Sequence, residues 1–440
     1  MKKFALLCSA CLLTFPGVVV AQSQDPAKVN TEDRLKSLEE QVKMLEAEVQ
    51  ALKAVQSAPA SQPPEAAAPV GAPETPSPAS YIPSTPQAQE AVAAPAQSQA
   101  PTYGGATGMA KALNPDISVI GDFLGATGAS NVPPALVAAG RGPLPLLQLH
   151  ESEVGLQAIV DPYARADFFL SFGEEGVNVE EGYITFTSLP GGFVAKVGKM
   201  RSAFGKVNTL HNHVLPWTDR PLMTDSLVGG EDGIDDAGIS VTRILPAPRG
   251  IFLEGTAQVF RGDSGDVFKT SQRSDASVVG HLRAYRDLTE SSNLDVGFSY
   301  ARGHNDLGSA FLTNLYGIDA TFHWTPLRRT IYHNFVGRTE FVWSRRDQLP
   351  TQQRAFGFYT SGDYRLSRRW TVGGRFDRSG RAREANLTDD GFSGVLTYWP
   401  SEFSQIRGQY RFTRYAEGMN ANELLFQFQF SLGAHGAHPF

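Results

Sequence analysis

Between about residues 115 and 432 the chain alternates apolar and polar residues in stretches of roughly ten, separated by turn residues. The clearest copy is Leu424, Phe426, Phe428, Phe430 and Leu432, with Gln427, Gln429 and Ser431 between them. A period of two puts every apolar side chain on one face of a strand. Repeated around a closed sheet, such a face meets lipid while the other lines a wet interior. Stretches of this kind fall at 117–124, 149–160, 163–172, 177–188, 193–200, 234–245, 251–260, 278–288, 294–302, 315–325, 332–345, 354–366, 370–377, 392–399, 403–414 and 423–432. They predict an all-β fold, a transmembrane antiparallel β-barrel of about 16 strands, the even number that bacterial barrels require.

The connections alternate in length. Short turns are marked by Asp161-Pro162, Leu189-Pro190-Gly191-Gly192, Leu245-Pro246, Thr325-Pro326, Leu366-Ser367-Arg368 and Trp399-Pro400, and longer loops occupy 125–148, 201–233, 261–276 and 379–391. Tight turns on the periplasmic side and long loops outside give this alternation, so 201–233 becomes the third and longest outer loop. Tyr183, Tyr300, Trp324, Trp343, Trp370, Tyr398 and Trp399 lie near strand ends, where amphipathic rings suit the headgroup level. The alternate face predicts a charged, wet lumen. Arg338, Arg365, Arg375, Arg407 and Arg411 come from the carboxyl half. Glu151, Glu153, Asp167, Glu181, Asp236 and Glu254, with Arg165 and Lys196, come from the amino half. Opposed charges across a narrow wet space orient polar solutes and disfavour apolar ones.

Upstream the pattern changes. Met1-Lys2-Lys3, an apolar run and Val19-Val20-Ala21 have the order of a secretory signal over 1–21. Residues 22–56 hold a heptad seam, Leu35, Leu38, Val42, Leu45, Val49 and Leu52, which predicts a short periplasmic coiled-coil helix. Residues 57–112 are rich in Pro, Ala, Ser and Gln and predict a disordered linker, roughly 150 Å long if fully extended. The barrel is expected to occupy 113–440, its last strand closing the ring and 433–440 overhanging it.

Composition narrows the chemistry. Cys8 and Cys11 both lie in the signal, so the mature chain has no disulfide, thiolate metal site or cysteine nucleophile. Removing Lys2 and Lys3 takes the formal charge from −6 to −8, which argues against a nucleic-acid partner. No local motif selects a catalytic nucleophile and no Gly-rich phosphate loop opens a helix, so an enzyme is not expected and no cofactor is implied. His211 and His213, at i and i+2, and the acidic run 231–236 invite a metal reading, but a solvated polar loop is the expectation, with no metal site.

One segment carries a resemblance. Gly198-Lys199, Arg201, Phe204-Gly205 and Asn208, followed by His213, Pro216 and Asp219-Arg220-Pro221, resemble the strand and third loop of the phosphate-selective porin O and P family. The resemblance implies a homotrimeric sixteen-stranded anion porin whose folded-in loop forms the constriction. By position the constriction candidates are Lys206, Arg220, Glu231, Asp232, Asp235 and Asp236. One departure stands out, because Lys196, Lys199, Lys206 and Lys269 are the only lysines of the barrel and no lysine ladder is present.

The resulting expectation is a passive outer-membrane porin for small hydrophilic solutes or ions, in contact with outer-membrane lipid and lipopolysaccharide. Its pore-lining and constriction residues are Lys196, Lys206, Arg220, Arg338, Arg365, Arg375, Arg407, Arg411, Glu231 and Asp232. The alternatives are a barrel-anchored tether between outer membrane and cell wall and a substrate-specific receptor. A plugged receptor barrel needs about twenty-two strands, more than the chain holds.

Overall fold

A computed structural model describes Lys43 and residues 115–174 and 176–433. The expected signal, coiled coil, linker and overhang lie outside the described residues. The rest forms one antiparallel sheet closed into a ring. Its strands are β1 (Asp116–Ser130), β2 (Gln148–Leu149), β3 (Ser152–Asp161), β4 (Ala164–Gly173), β5 (Gly176–Leu189) and β6 (Phe193–Arg201). Next come β7 (Asp235–Leu245), β8 (Phe252–Phe260), β9 (Ser277–Thr289), β10 (Ser292–Asn305), β11 (Gly308–Trp324) and β12 (Phe335–Arg346). The ring is completed by β13 (Gln353–Ser367), β14 (Trp370–Gly380), β15 (Thr388–Ser401), β16 (Ser404–Arg414) and β17 (Asn420–Gly433). β2 is a two-residue strip against β1, which leaves sixteen wall strands, one for each predicted stretch. The ring closes where β1 pairs with β17, from Ser118 opposite Gly433 to Ser130 opposite Ala421. Closure leaves no exposed strand edge.

The period-two reading holds in detail on β17. Phe426 and Phe428 are 50% and 44% exposed on the outside, while Gln427 and Gln429 are 3% and 1% exposed within. Outward rings cluster across strands, as in Phe341, Trp343, Phe356 and Phe358 on β12 and β13. Two of the expected girdle aromatics turn inward instead. Tyr183 lies under the Lys196 ammonium, 4.4 Å from the ring centroid, and Trp399 donates through Nε1 to the inward Gln405 at 3.2 Å. Both sit in phase with inward charges of their own strands, and strand phase outranks nearness to a strand end.

Strands run further than the alternation suggested at the loop end. β1 continues to Ser130 and β15 begins at Thr388, which shortens the first and seventh loops. On the turn side, 325–334 is a ten-residue connection rather than a tight turn, because β12 starts at Phe335. In β4–β5 the register passes from Phe169 opposite Glu181 to Leu170 opposite Val179, so Glu180 is an extra residue. Such a bulge re-aims a side chain, and both Glu180 and Glu181 are buried inside the barrel.

The expected wet lumen is only part of the interior. Toward the loop end a patch of inward positions is apolar or aromatic, Val279, Ala301, Leu315, Val342, Ala355, Tyr359 and Val395, among polar ones such as Ser344 and Thr313. Against them pack Phe204, Val207, Leu215, Trp217, Met223, Leu227 and Val228 of the third loop. The loop fills that part of the barrel with a dry core.

Candidate functional site

The third loop, 202–234, leaves β6 and re-enters the wall at β7 through a tied neck. Ser202 N–H donates to the Ile234 carbonyl at 2.8 Å, and Asn208 bridges both ends, accepting from Ile234 N–H at 2.8 Å and donating to the Ser202 carbonyl at 2.9 Å. Arg201, the last residue of β6, donates to the carbonyls of Glu231 and Asp232 at 3.1 and 2.9 Å. Gly233 has a positive φ of 64°, and a Cβ there would lie 2.0 Å from Asn208 Oδ1, so only glycine fits. Gly205 (φ 62°) is constrained in the same way against Glu340, while its N–H donates to Ser299 Oγ at 2.9 Å. Phe204 lies over Gly317, where a Cβ would be 3.2 Å from the ring. The run from Gly198 to Asn208 thus encodes how the loop turns in and docks.

The loop touches the wall on two charged sides. On the β13–β17 side, Asp219 is the common partner of three groups. Its Oδ1 accepts from Arg375 Nη2 at 3.0 Å and from Gln409 Nε2 at 2.5 Å, and its Oδ2 from Arg411 Nη1 at 3.0 Å. Arg375 also holds Asp377, Arg411 also holds Glu423, and Arg407 donates to the Trp217 carbonyl at 2.9 Å. Burial would raise the Asp219 carboxyl pKa, but the Arg375 and Arg411 charges outweigh it and hold the group below its usual range.

On the β3–β5 side the loop carries His211, Asn212 and His213 into an acidic pocket. His211 Nδ1 lies 2.6 Å from Glu153 Oε2 and 3.0 Å from Glu180 Oε2, and its Nε2 lies 3.0 Å from Glu181 Oε2. Burial alone would lower the His211 pKa. The Glu153 charge and the hydrogen bonds to Glu153, Glu180 and Glu181 outweigh it and hold the ring well above its ordinary value, as an imidazolium. Burial instead pushes His213 down, aided by the charge on His211. Asn212 donates to Glu151 and to Glu231 Oε1, and accepts from Arg220 Nε at 2.9 Å. The crowding of the loop around it keeps the Glu231 carboxyl from falling further although the side chain stays largely exposed, and the His150 hydrogen bond at 2.8 Å prevails and lowers it. The expected solvated histidine loop is therefore overturned: these side chains are enclosed between β3, β5 and the loop.

The predicted residues now have places. Arg375, Arg407 and Arg411 meet at the loop, as does Asp219, which the spacing left without a role. Arg220 is internal to the loop, donating to the carbonyls of Val207 and Leu210 at 3.1 and 2.7 Å, and burial lowers its pKa to about 10. Lys206 Nζ lies 3.9 Å from Asp295, Arg338 pairs with Asp363 at 2.5 Å, and Arg365 lies over the Trp399 ring. Glu231 and Asp232 are exposed at the returning end of the loop, whereas Asp236 is buried, accepting from the N–H groups of Gly262 and Asp263. Glu180 and the apolar loop residues were missed. The first depends on the bulge, and the second on where the loop travels.

Burial also pushes the loop carboxyl of Asp225 up to about 7, against the pull of Arg141. A raised folded-state pKa means that charging this group weakens docking as pH rises from the unfolded value toward 7. Limited proteolysis within 202–234 is expected to speed up between about pH 4 and 7 in the wild type, to level off above 7, and to stay flat in Asp225→Asn.

No family model matches the chain. It is 30% identical over 334 residues to an uncharacterized protein of Aquifex aeolicus (strain VF5), across 66% of this chain and 70% of that one. The chain belongs to the family of that Aquifex protein. Among solved structures, this family member is similar to the anion-selective porin from Comamonas acidovorans, with a TM-score of 0.51, 11% identity, and coverage of 72% of this chain and 99% of the porin. It is also similar to Salmonella typhi OmpF in complex with daunomycin, with a TM-score of 0.50, 8% identity, and coverage of 73% and 99%. At these identities the likeness is one of fold, a closed antiparallel porin-type barrel.

Proposed function

We propose that the protein is a passive outer-membrane channel for small hydrophilic solutes, and not an enzyme. One observation carries this reading: a 16-stranded barrel with an apolar outside receives its longest loop inside, where the loop presents charged edges to the remaining interior. A folded-in loop narrows a pore without closing the sheet, and its charges choose what passes. In this reading Lys196, Lys206, Arg338, Arg365 and Arg411 line the passage with Glu231 and Asp232 at the loop's returning end, while the buried Arg375 and Arg407 act from behind the docked loop and Arg220 braces it from within.

Arginine cannot be neutralised at working pH, so its field is permanent and favours anions. The Comamonas porin, itself described as anion-selective, and the motif shared with the phosphate-selective porin O and P family support the same direction. The lack of a lysine ladder favours small anions in general over phosphate in particular. In this reading the chain forms a homotrimer among outer-membrane lipid and lipopolysaccharide, its amino-terminal segment lies in the periplasm, and no cofactor takes part. The test is a planar bilayer carrying the refolded mature chain. Stepwise conductance with an anion-favouring reversal potential in a salt gradient is expected. A sealed bilayer leaves the tether reading, and a cation-favouring potential removes the arginine assignment.

A further inference from the structure

The acidic pocket that receives His211 and His213 gathers Glu153, Glu180 and Glu181 around one loop imidazole, with the Arg201 guanidinium 3.2 Å from Glu180 Oε2. Glu153 Oε2 and Glu180 Oε2 face the same nitrogen, His211 Nδ1, at 2.6 and 3.0 Å, and His213 Nδ1 lies 3.7 Å from that Glu153 oxygen. The ligand atoms of Glu153, His211 and His213 all lie within 4.8 Å of one another. Bonds of about 2.0–2.2 Å would bring such a set onto one ion by small side-chain rotations.

Two further observations point to a ligand. Glu180 is 4% exposed, and its second oxygen, Oε1, has no hydrogen-bond partner, while Oε2 is shared by His211 Nδ1 at 3.0 Å and the Arg201 guanidinium at 3.2 Å. A buried acceptor atom left without a bond is costly unless something binds it. In addition, the far nitrogen of His211, Nε2, rests on Glu181 at 3.0 Å. A carboxylate on the outer nitrogen fixes the ring so that the inner one points at a metal.

We propose that this pocket is a divalent transition-metal site, with His211 Nδ1, His213 Nδ1, Glu153 and Glu180 as ligands and Glu181 orienting His211, the ion displacing the His211 Nδ1 proton to solvent as it binds. Two imidazoles and two carboxylates suit zinc, cobalt, nickel or copper, whereas calcium and magnesium take all-oxygen sets. The ligands come from β3, β5 and the third loop, so the bound ion staples the loop to the wall. This assignment stands apart from conduction, since it concerns how the loop is held.

The test uses the full mature chain refolded in detergent, with the tail residues His435 and His438 changed to Asn to remove competing imidazoles. One equivalent of Co²⁺ is expected to produce the visible absorption of a low-coordinate N/O site, and one equivalent of Zn²⁺ to abolish it. His213→Asn leaves the His211 clamp intact and is expected to weaken Co²⁺ binding on the order of 100-fold. Glu153→Gln is expected to act likewise, while His304→Asn, away from the pocket, leaves binding unchanged. Absence of the absorption in the parent chain, or binding unchanged in both His213→Asn and Glu153→Gln, overturns the proposal.

Discussion

Trp217→Ala raises the single-channel conductance. Trp217 is fully buried at the centre of the loop core, edge-on to Tyr359 with ring centroids 5.2 Å apart, and under the Arg375 guanidinium at 4.8 Å. Truncating a buried Trp costs about 3–5 kcal/mol, because the cavity adds to the lost transfer energy. The cost falls on the loop, since the wall is held by its own strand ladders and keeps its register. A loosened loop withdraws from the interior and leaves space that water enters. Planar-bilayer recordings read the conductance, and limited proteolysis within 202–234 reads the loop. Unchanged conductance with a protease-sensitive loop would mean that the loop does not set the width of the passage.

Asp219→Asn moves ion preference toward anions. The substitution keeps the shape of the side chain but removes the one negative charge shared by Arg375 and Arg411. Each arginine retains a wall carboxylate, Asp377 or Glu423, so the wall stays paired while its excess positive field reaches further into the passage. Breaking a buried ion pair costs about 3–5 kcal/mol, so partial undocking is expected to accompany the change. The converse substitution, Arg407→Glu with Arg411→Glu, places negative charge at the same point and is expected to move preference toward cations. Reversal potentials in a salt gradient measure both, and equal potentials in the two variants would place the selectivity elsewhere in the barrel.

The wall was legible because a period of two is a local property. Phe426 and Gln427 point to opposite faces whatever the rest of the chain does. The docking of the loop was legible only through its motif, whose glycines, Phe204 and Asn208 have one geometric purpose each. Burial of His211 and His213 was not legible, because it depends on the trajectory of a segment with no periodicity. Glu180 was hidden for a related reason: a single extra residue reverses the facing of its neighbours, and no composition signal marks it. The charged residues of the lumen were placed on the right face, but their partners were not foreseen. Arg375 and Arg411 read as lumen cations among wall carboxylates, and only the folded loop brings Asp219 between them. The inward Val342, Leu315 and Val395 are the counterpart of that error, since a purely wet lumen gives apolar residues no reason to face it.

The neck at Ser202, Asn208 and Ile234 has a consequence for how such proteins diversify. A segment whose two ends meet within one hydrogen bond can be exchanged without re-registering the strands that flank it, provided the new insert matches the wall face that receives it, here Leu315, Val342, Arg375 and Arg411. New permeation properties are then reached by changing one insert together with the few inward side chains that seat it, while the strand register of the cylinder is inherited unaltered.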